Sequence, residues 1–502
     1  MIAKQGPRFS RRRFLAGAGT AALLPVLPAA ARAAAATQVL AVERRTIEVK
    51  GKPAAVFRVG APGGAPGLAL DPGERFRLTL ENRLAEPTIV HWHGQTPPAA
   101  EDGVAETGYV APLAAGASRD YDFAARPGTH WMHSHQGLQE QQLLAGPLVV
   151  RRPEDLRLDA QEVTVLLHDF TFQDPAAILA GLGSGSGGMA GMAGHGMPPM
   201  SGAMQGQGMQ GQGMPGMSHD KMAMPGKPAA AGPDLNDVQY DAFLANDRTL
   251  DDPEVVRVER SGRVRLRLIN GGAGTAFWVD LGGAEATVLA VDGNPVAPLR
   301  VGRVPLAQAQ RVDLLVEVPA GAVVPVLAQG EGRQERTGLL LAAPGAAVSR
   351  MATATAASAP PLDLSLERRL AAVEALPPGP TAVTHRMRLT GTMAPYGWGI
   401  DGRGWADRRP LRVTRGQRVV IEMANQTPMA HPMHLHGHHF HVVALDGERL
   451  AGGLRDTILV PPLGTVQVAF DADNPGRWLL HCHNLYHMAT GMITELVYEG
   501  VA

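Results

Sequence analysis

Cysteine is nearly missing: one residue in 502, Cys482. An intramolecular disulfide is therefore excluded, and the lone thiol is either a small buried apolar group or a chemically employed one. The haem-attachment pattern Cys-x-x-Cys-His is absent too. Neither sign of charge is in excess. Lys plus Arg number 46 and Asp plus Glu 47, a net of −1, so nothing suggests a polyanionic partner such as nucleic acid. Beyond the N-terminus no apolar run is long enough to span a bilayer. Helix signals are sparse, whereas 60 Gly and 40 Pro favour many short strands joined by turns, as in β-sandwiches. The length predicts two to four domains.

Ser10-Arg11-Arg12-Arg13-Phe14-Leu15 precedes a modest apolar stretch to about Ala30, broken by Pro25 and Pro28. Twin arginines before such a stretch predict a Tat export signal over residues 1–33 rather than a membrane anchor. The expected partner is the Tat export machinery, and the expected destination is the bacterial periplasm or the cell exterior.

The chain repeats itself. Gly73 to Asn82 reads GERFRLTLEN, and nine residues after Asn82 comes His91-Trp92-His93-Gly94. Gly416 to Asn425 reads GQRVVIEMAN, and nine residues after Asn425 comes His434-Leu435-His436-Gly437. Later in each unit, Gly116 is followed after seventeen residues by His133-Ser134-His135, and Gly464 after seventeen by His481-Cys482-His483. A weaker copy, Gly262 to Asn270, has no histidines near Phe277-Trp278-Val279 or Asp313-Leu314-Leu315. The expected fold is all-β, with three β-sandwich domains at 37–155, 156–343 and 381–502, ligands lying only in the first and third. The middle one contains a low-complexity insert, 183–232. A Pro/Ala-rich linker, 344–380, carries a short helix near Leu364 to Leu376.

Positions i and i+2 of a strand share a face, so each His-x-His pair can clasp metal, and Cys482 faces away from His481 and His483. Eight imidazoles, His91, His93, His133, His135, His434, His436, His481 and His483, suit a cluster of three coppers. His431, Cys482 and His487 form a separate set, with Met492 where a weak axial thioether is expected. Structural zinc needs a closed tetrahedron, and twelve ligands exceed it.

HWHG, HSH, HPMHLHGH and HCHNLYHMATGM resemble the four copper-binding signatures of the multicopper oxidases, the family of laccases and bacterial cuprous oxidases. The resemblance spans nearly the whole mature chain. It implies three cupredoxin-like Greek-key domains and four copper ions. His431, Cys482, His487 and Met492 would hold type 1, and His91 and His434 type 2. His93, His133, His135, His436, His481 and His483 would hold the type 3 pair. Four one-electron oxidations at type 1 would be coupled, through Cys482 and its neighbouring histidines, to reduction of O2 to water. Asp102, eleven residues after His91, resembles the family's acidic residue near the cluster. Met488 stands where many bacterial relatives place a Glu, which leaves Glu140 as a substitute second proton donor.

Gly188 to Met224 holds ten of the 20 methionines, from Met189 to Met224, with His195 and His219 among them. Thioethers prefer Cu(I), so this stretch reads as copper capture or delivery, holding additional Cu(I) or Cu(II), rather than as an inert insert. With HSHQGLQEQ and YDAFLANDRTLDD it resembles the copper-resistance branch of the family. HLHGHHFHVV is more similar to laccases, with His438, His439 and His441 not expected as ligands. The expected function is a periplasmic cuprous oxidase in copper tolerance. The alternatives are a laccase-like oxidase of phenols or aromatic amines, and a non-enzymatic copper-sequestering protein.

Overall fold

The structure, a computed structural model, describes residues 38–184, 235–259 and 262–501. The expected export signal and nearly all of the methionine-rich insert lie outside the described residues. No described helix is long and apolar enough to cross a membrane.

Strands form in the Gly-bounded alternating segments. Phe76–Asn82 buries every second side chain, as a half-buried strand should. Each repeat unit folds into two facing sheets around its own apolar core. The first packs Phe76, Trp92, Met132 and Leu148, and the middle one packs Leu266, Phe277, Leu314 and Leu339. The third packs Ile421, Met433, Phe440 and Trp478. The repeat is exact in its pairing. Gln38–Val49 runs parallel to Phe76–Asn82, Gln161–Phe170 to Arg263–Asn270, and Val383–Met393 to Arg418–Asn425.

The ligand-bearing hairpins coincide as well. His91 lies opposite His133, and His434 opposite His481. In the middle unit the corresponding pair is Phe277–Asp280 with Val323–Gly330, where Trp278 faces Gln329. Asp313-Leu314-Leu315 is therefore not the counterpart of the His-Cys-His segment. It lies on Arg311–Glu317, which pairs with Arg263–Asn270 as Thr465–Asp471 pairs with Arg418–Asn425.

The segment before the third sandwich also departs from expectation. Only a short 3-10 turn, Glu367–Arg369, forms where a helix over Leu364 to Leu376 was expected. Leu362, Leu364 and Leu366 are buried at alternate positions, and Glu367 is paired with Arg455. The chain leading into this single turn carries Leu362 and Leu364 into the core of the third sandwich and Leu366 into that of the middle one.

The repeated asparagine explains how each ligand strand is aimed. Asn425 donates to the carbonyls of Met429 (2.7 Å), Val460 (3.2 Å) and Pro461 (2.8 Å), and accepts from the Thr427 amide (2.9 Å). Asn82 and Asn270 make the same kind of corner. Each one pins the loop that enters the next inner strand. Asn425→Ala should lower unfolding free energy by about 2 kcal/mol, because buried carbonyls lose their donors. Denaturant unfolding checks this, and a change under about 0.5 kcal/mol would be that of an ordinary surface site.

Candidate metal centre

Two adjacent strands and one short helix build the thiol site. His431–Leu435 lies beside Arg477–Cys482, with Met433 opposite Cys482. Asn484 caps the helix Leu485–Ala489 and turns His487 back toward the sulfur. Cys482 Sγ lies 3.8 Å from His431 Nδ1 and 3.7 Å from His487 Nδ1, and those nitrogens are 3.1 Å apart. The outer ring nitrogen of His431 fixes its tautomer. Thr427 Oγ1 is 2.7 Å from His431 Nε2, and its own proton goes to Asn425 Oδ1. It therefore accepts from His431. Asp237 Oδ2 lies 2.9 Å from His487 Nε2. His431 then turns a bare Nδ1 toward the thiol. Met492 is fully buried, and its backbone is bonded to both Cys482 and His487 (3.0 Å each). Trp398 lies over the His487 ring at 4.0 Å. Burial pushes the Cys482 thiol up, so the thiolate needs the charge of a bound cation.

The eight remaining imidazoles converge from the first and third sandwiches into one buried chamber. Three of the four His-x-His pairs split, each sending its two rings to different groups, whereas His91 and His93 also share one. His93, His133 and His483 form one triad, and His135, His436 and His481 another, each with ligand atoms within 4.8 Å of one another. His91 and His434 meet in a third group with His93. Rings from opposite domains stack, His91 on His436 at 3.8 Å and His93 on His434 at 3.7 Å.

Oxygens outside the chamber fix which nitrogen points inward. The Nδ1 of His91 donates to Asp102 O (2.9 Å), that of His434 to Asp456 O (2.9 Å), and that of His481 to Cys482 O (2.9 Å). A carbonyl only accepts, so each Nε2 is left bare. His93 is reversed: its Nε2 faces Asp456 Oδ1 at 3.2 Å, leaving Nδ1 bare. The inward atoms of His91, His93, His133, His434 and His483 have no hydrogen-bond partner among the described residues. His436 Nε2 and His481 Nε2 face one another at 3.0 Å. Buried, bare nitrogens aimed at common points fit cations and nothing else in the inventory of side-chain partners.

Three carboxylates border the chamber. Asp102 Oδ2 is 2.8 Å from His436 Nδ1, and Oδ1 is 3.3 Å from His91 Nδ1. Glu140 Oε2 is 2.7 Å from His133 Nδ1, and Oε1 is 3.7 Å from His483 Nδ1. Burial, with Asp169 nearby, holds Glu140 well above the usual carboxylate range. Asp456 is the one that sequence reasoning missed. It mirrors Asp102, its carbonyl on one histidine and its carboxylate on a histidine of the other domain. The offsets differ, however: 11 residues from His91 to Asp102 and 22 from His434 to Asp456. Repeat spacing therefore gave no signal. Met488 packs with Trp405 against Val104, Leu479 and Ile493. His438 bonds Tyr498 Oη at 2.6 Å, and His439 bonds Asn294 and Gly94. Met429 is buried in the core that holds Cys482 and Met492.

Burial holds the imidazoles of His93, His133, His135, His431, His434, His436 and His483 well below the ordinary range, and His481 down to about 4 from 6.5. Unfolded imidazoles take protons near pH 6.5, whereas these take theirs only lower. The metal-free protein should therefore lose stability as pH falls from about 6.5 toward 4, by up to roughly 1.4 kcal/mol per pH unit for each such group. Thermal unfolding of metal-free protein between pH 7.5 and 4.5 checks this, and a flat profile would refute it.

Comparison with known proteins meets this geometry. Residues 41–155, 161–334 and 378–500 each match the multicopper oxidase family. Multicopper oxidase MmcO of Mycobacterium tuberculosis is 32% identical over 98% of this chain and 97% of its own. Copper resistance protein A of Escherichia coli is 26% identical over 98% of this chain and 99% of its own. The crystal structure of a multi-copper oxidase from Pseudomonas thermotolerans superposes with a TM-score of 0.66 at 24% identity, over 92% of this chain and 98% of that one. With its thiol site, its eight-imidazole chamber and three cupredoxin-type sandwiches, the chain belongs to the multicopper oxidase family, copper-dependent oxidoreductases that pass electrons to O2.

Proposed function

We propose that this oxidase takes its electrons from Cu(I) and serves copper tolerance in the periplasm, reached by Tat export. His431, Cys482, His487 and Met492 would hold the type 1 copper, and His91 and His434 the type 2. The triads His93/His133/His483 and His135/His436/His481 would hold the type 3 pair. Bound copper supplies one-electron transfer at the thiol site and four-electron reduction of O2 to two waters in the chamber. Membership of an O2-reducing family, with every expected ligand residue present, leaves the purely sequestering alternative without support.

One observation carries the choice of donor: both flanks of the methionine-rich insert are seated on the thiol site. Ile178 and Leu182, from the helix Pro175–Gly183 just before it, share a buried cluster with Trp398, Met429, Cys482 and Met492. Val238, just after it, belongs to the same cluster, and Asp237 reaches His487. Ten thioethers tethered at that position favour a soft monovalent copper donor over a phenol. Asp237 adds a carboxylate 2.9 Å from the outer nitrogen of His487.

Deleting residues 188–224 should lower kcat/KM for Cu(I) by roughly tenfold, the equivalent of about 1.4 kcal/mol of lost capture. Oxidation of a phenol should be kept or raised. Unchanged Cu(I) kinetics with weakened phenol oxidation would favour the laccase-like alternative. We further propose that Asp102 and Glu140 hand protons to the chamber, since each reaches histidines on it. Asp102→Asn should slow reoxidation by O2 on the order of a hundredfold while donor-side bleaching of the blue band stays unchanged. Stopped-flow measurement of the two half-reactions separates them.

A further inference from the structure

The middle sandwich has no ligands, yet one of its side chains reaches the chamber's outer wall. Arg311 opens the strand Arg311–Glu317 and is fully buried. Its guanidinium grips Asp456 with both forks, Nη1 to Oδ1 at 2.7 Å and Nη2 to Oδ2. Nε donates to the carbonyl of Thr129 at 3.2 Å, on the strand that carries His133. The Arg311 amide is held by Asp292 Oδ1 at 2.9 Å, and Asp292 Oδ2 also accepts from the amides of Asp456 and Thr457 at 3.3 Å. Gln310 donates to the Thr457 carbonyl at 3.2 Å. One residue of the ligand-free domain thus ties a strand of the first domain to a loop of the third.

What Asp456 does makes this tie more than a seam. Its carboxylate keeps the proton of His93 on Nε2, and its carbonyl keeps that of His434 on Nδ1. A bidentate guanidinium fixes a carboxylate in plane and in distance, which a single charge does not. Gly94 shows how closely the guanidinium passes. A Cβ at residue 94, at φ +87, would lie 2.5 Å from Arg311 Nη2. No side chain fits there, and the HxHG glycine directly after His93 follows from that.

We propose that Arg311 is a positioning residue for the copper cluster: by holding Asp456 it presents His93 through Nδ1 and His434 through Nε2 to the metal. Its loss should disturb the type 2 copper and the adjoining type 3 ligand while the thiol site is spared. This inference rests on the ligand assignment above. A protein lacking the blue band in its native form would refute that assignment, separately from Arg311.

The test uses the full-length copper-loaded protein with Arg311→Lys, which keeps the charge and removes the fork. Arg265→Lys serves as control, because Arg265 joins Asp155 and Asp313 in another buried interdomain ion pair that touches no ligand. In R311K we expect an unchanged blue thiolate band, an altered or lost type 2 signal in electron paramagnetic resonance, and fewer coppers per chain. Reoxidation by O2 should fall at least tenfold, with type 1 reduction unaffected. R265K should keep both signatures. Native copper content and an unaltered type 2 signal in R311K would overturn the proposal. So would loss of the blue band together with the type 2 signal, or equal damage in R265K, because either indicates scaffolding alone. If R311K fails to fold, D456N must show the selective type 2 loss, since an amide has a single acceptor oxygen and cannot receive both arms of the guanidinium fork. Its absence there would overturn the proposal equally.

Discussion

Alternation along one extended strand is the constraint from which the rest follows. Cys482 points into the third sandwich's own core, and His481 and His483 point out of it. The sulfur therefore meets His431 and His487 within one domain, whereas the flanking rings can complete their sites only with imidazoles from elsewhere. The first sandwich supplies them from a matching hairpin. Because both hairpins share a register, their rings stack in reciprocal pairs across the domain boundary. The splitting of His133 from His135, of His434 from His436 and of His481 from His483 follows. Two rings two residues apart sit on one face, but the chamber lies between two such faces, and each ion draws from both.

Much of this was legible in the sequence, for a physical reason. Ligands that must face one another across a duplicated fold sit at repeat-equivalent positions, so their spacing is preserved. The structure brings His431, Cys482 and His487 together, gathers the eight other imidazoles in one chamber, and buries Met492 in the core that holds Cys482. What escaped was whatever does not scale with the repeat. Asp456 lies on a loop whose length differs between copies. Arg311 comes from the copy with no ligand histidines and acts across a boundary that no periodicity describes. The turn around Leu364 was expected to run on to Leu376, because leucines spaced over a short span do not show where a helical turn stops.

The middle sandwich shows how a duplicated unit finds other work after losing its ligands. At the positions equivalent to ligand strands it carries Trp278 and Gln329, and its own strand ends supply Asp292, Gln310 and Arg311 to the junction. Buried charges there are matched: Arg311 to Asp456, Arg455 to Asp292 and Glu367, and Arg265 and Arg267 to Asp155 and Asp313. Such pairs add little net stability, since desolvation offsets attraction, but they penalise any other docking of the three domains. A chamber whose nitrogens must align to tenths of an ångström needs that kind of specificity.

The anchoring of Ile178, Leu182 and Val238 has an evolutionary corollary. Chain termini fixed on a rigid surface make the intervening length nearly free. Doubling a loop closed in this way costs only about 0.6 kcal/mol. The bridge between helix and strand can therefore grow, shrink or change composition over generations while the catalytic frame stays still. On the proposal that the insert selects the donor, substrate preference would drift by insertion and deletion alone, and transplanting the bridge onto a sister scaffold with the same two footholds would re-specify it.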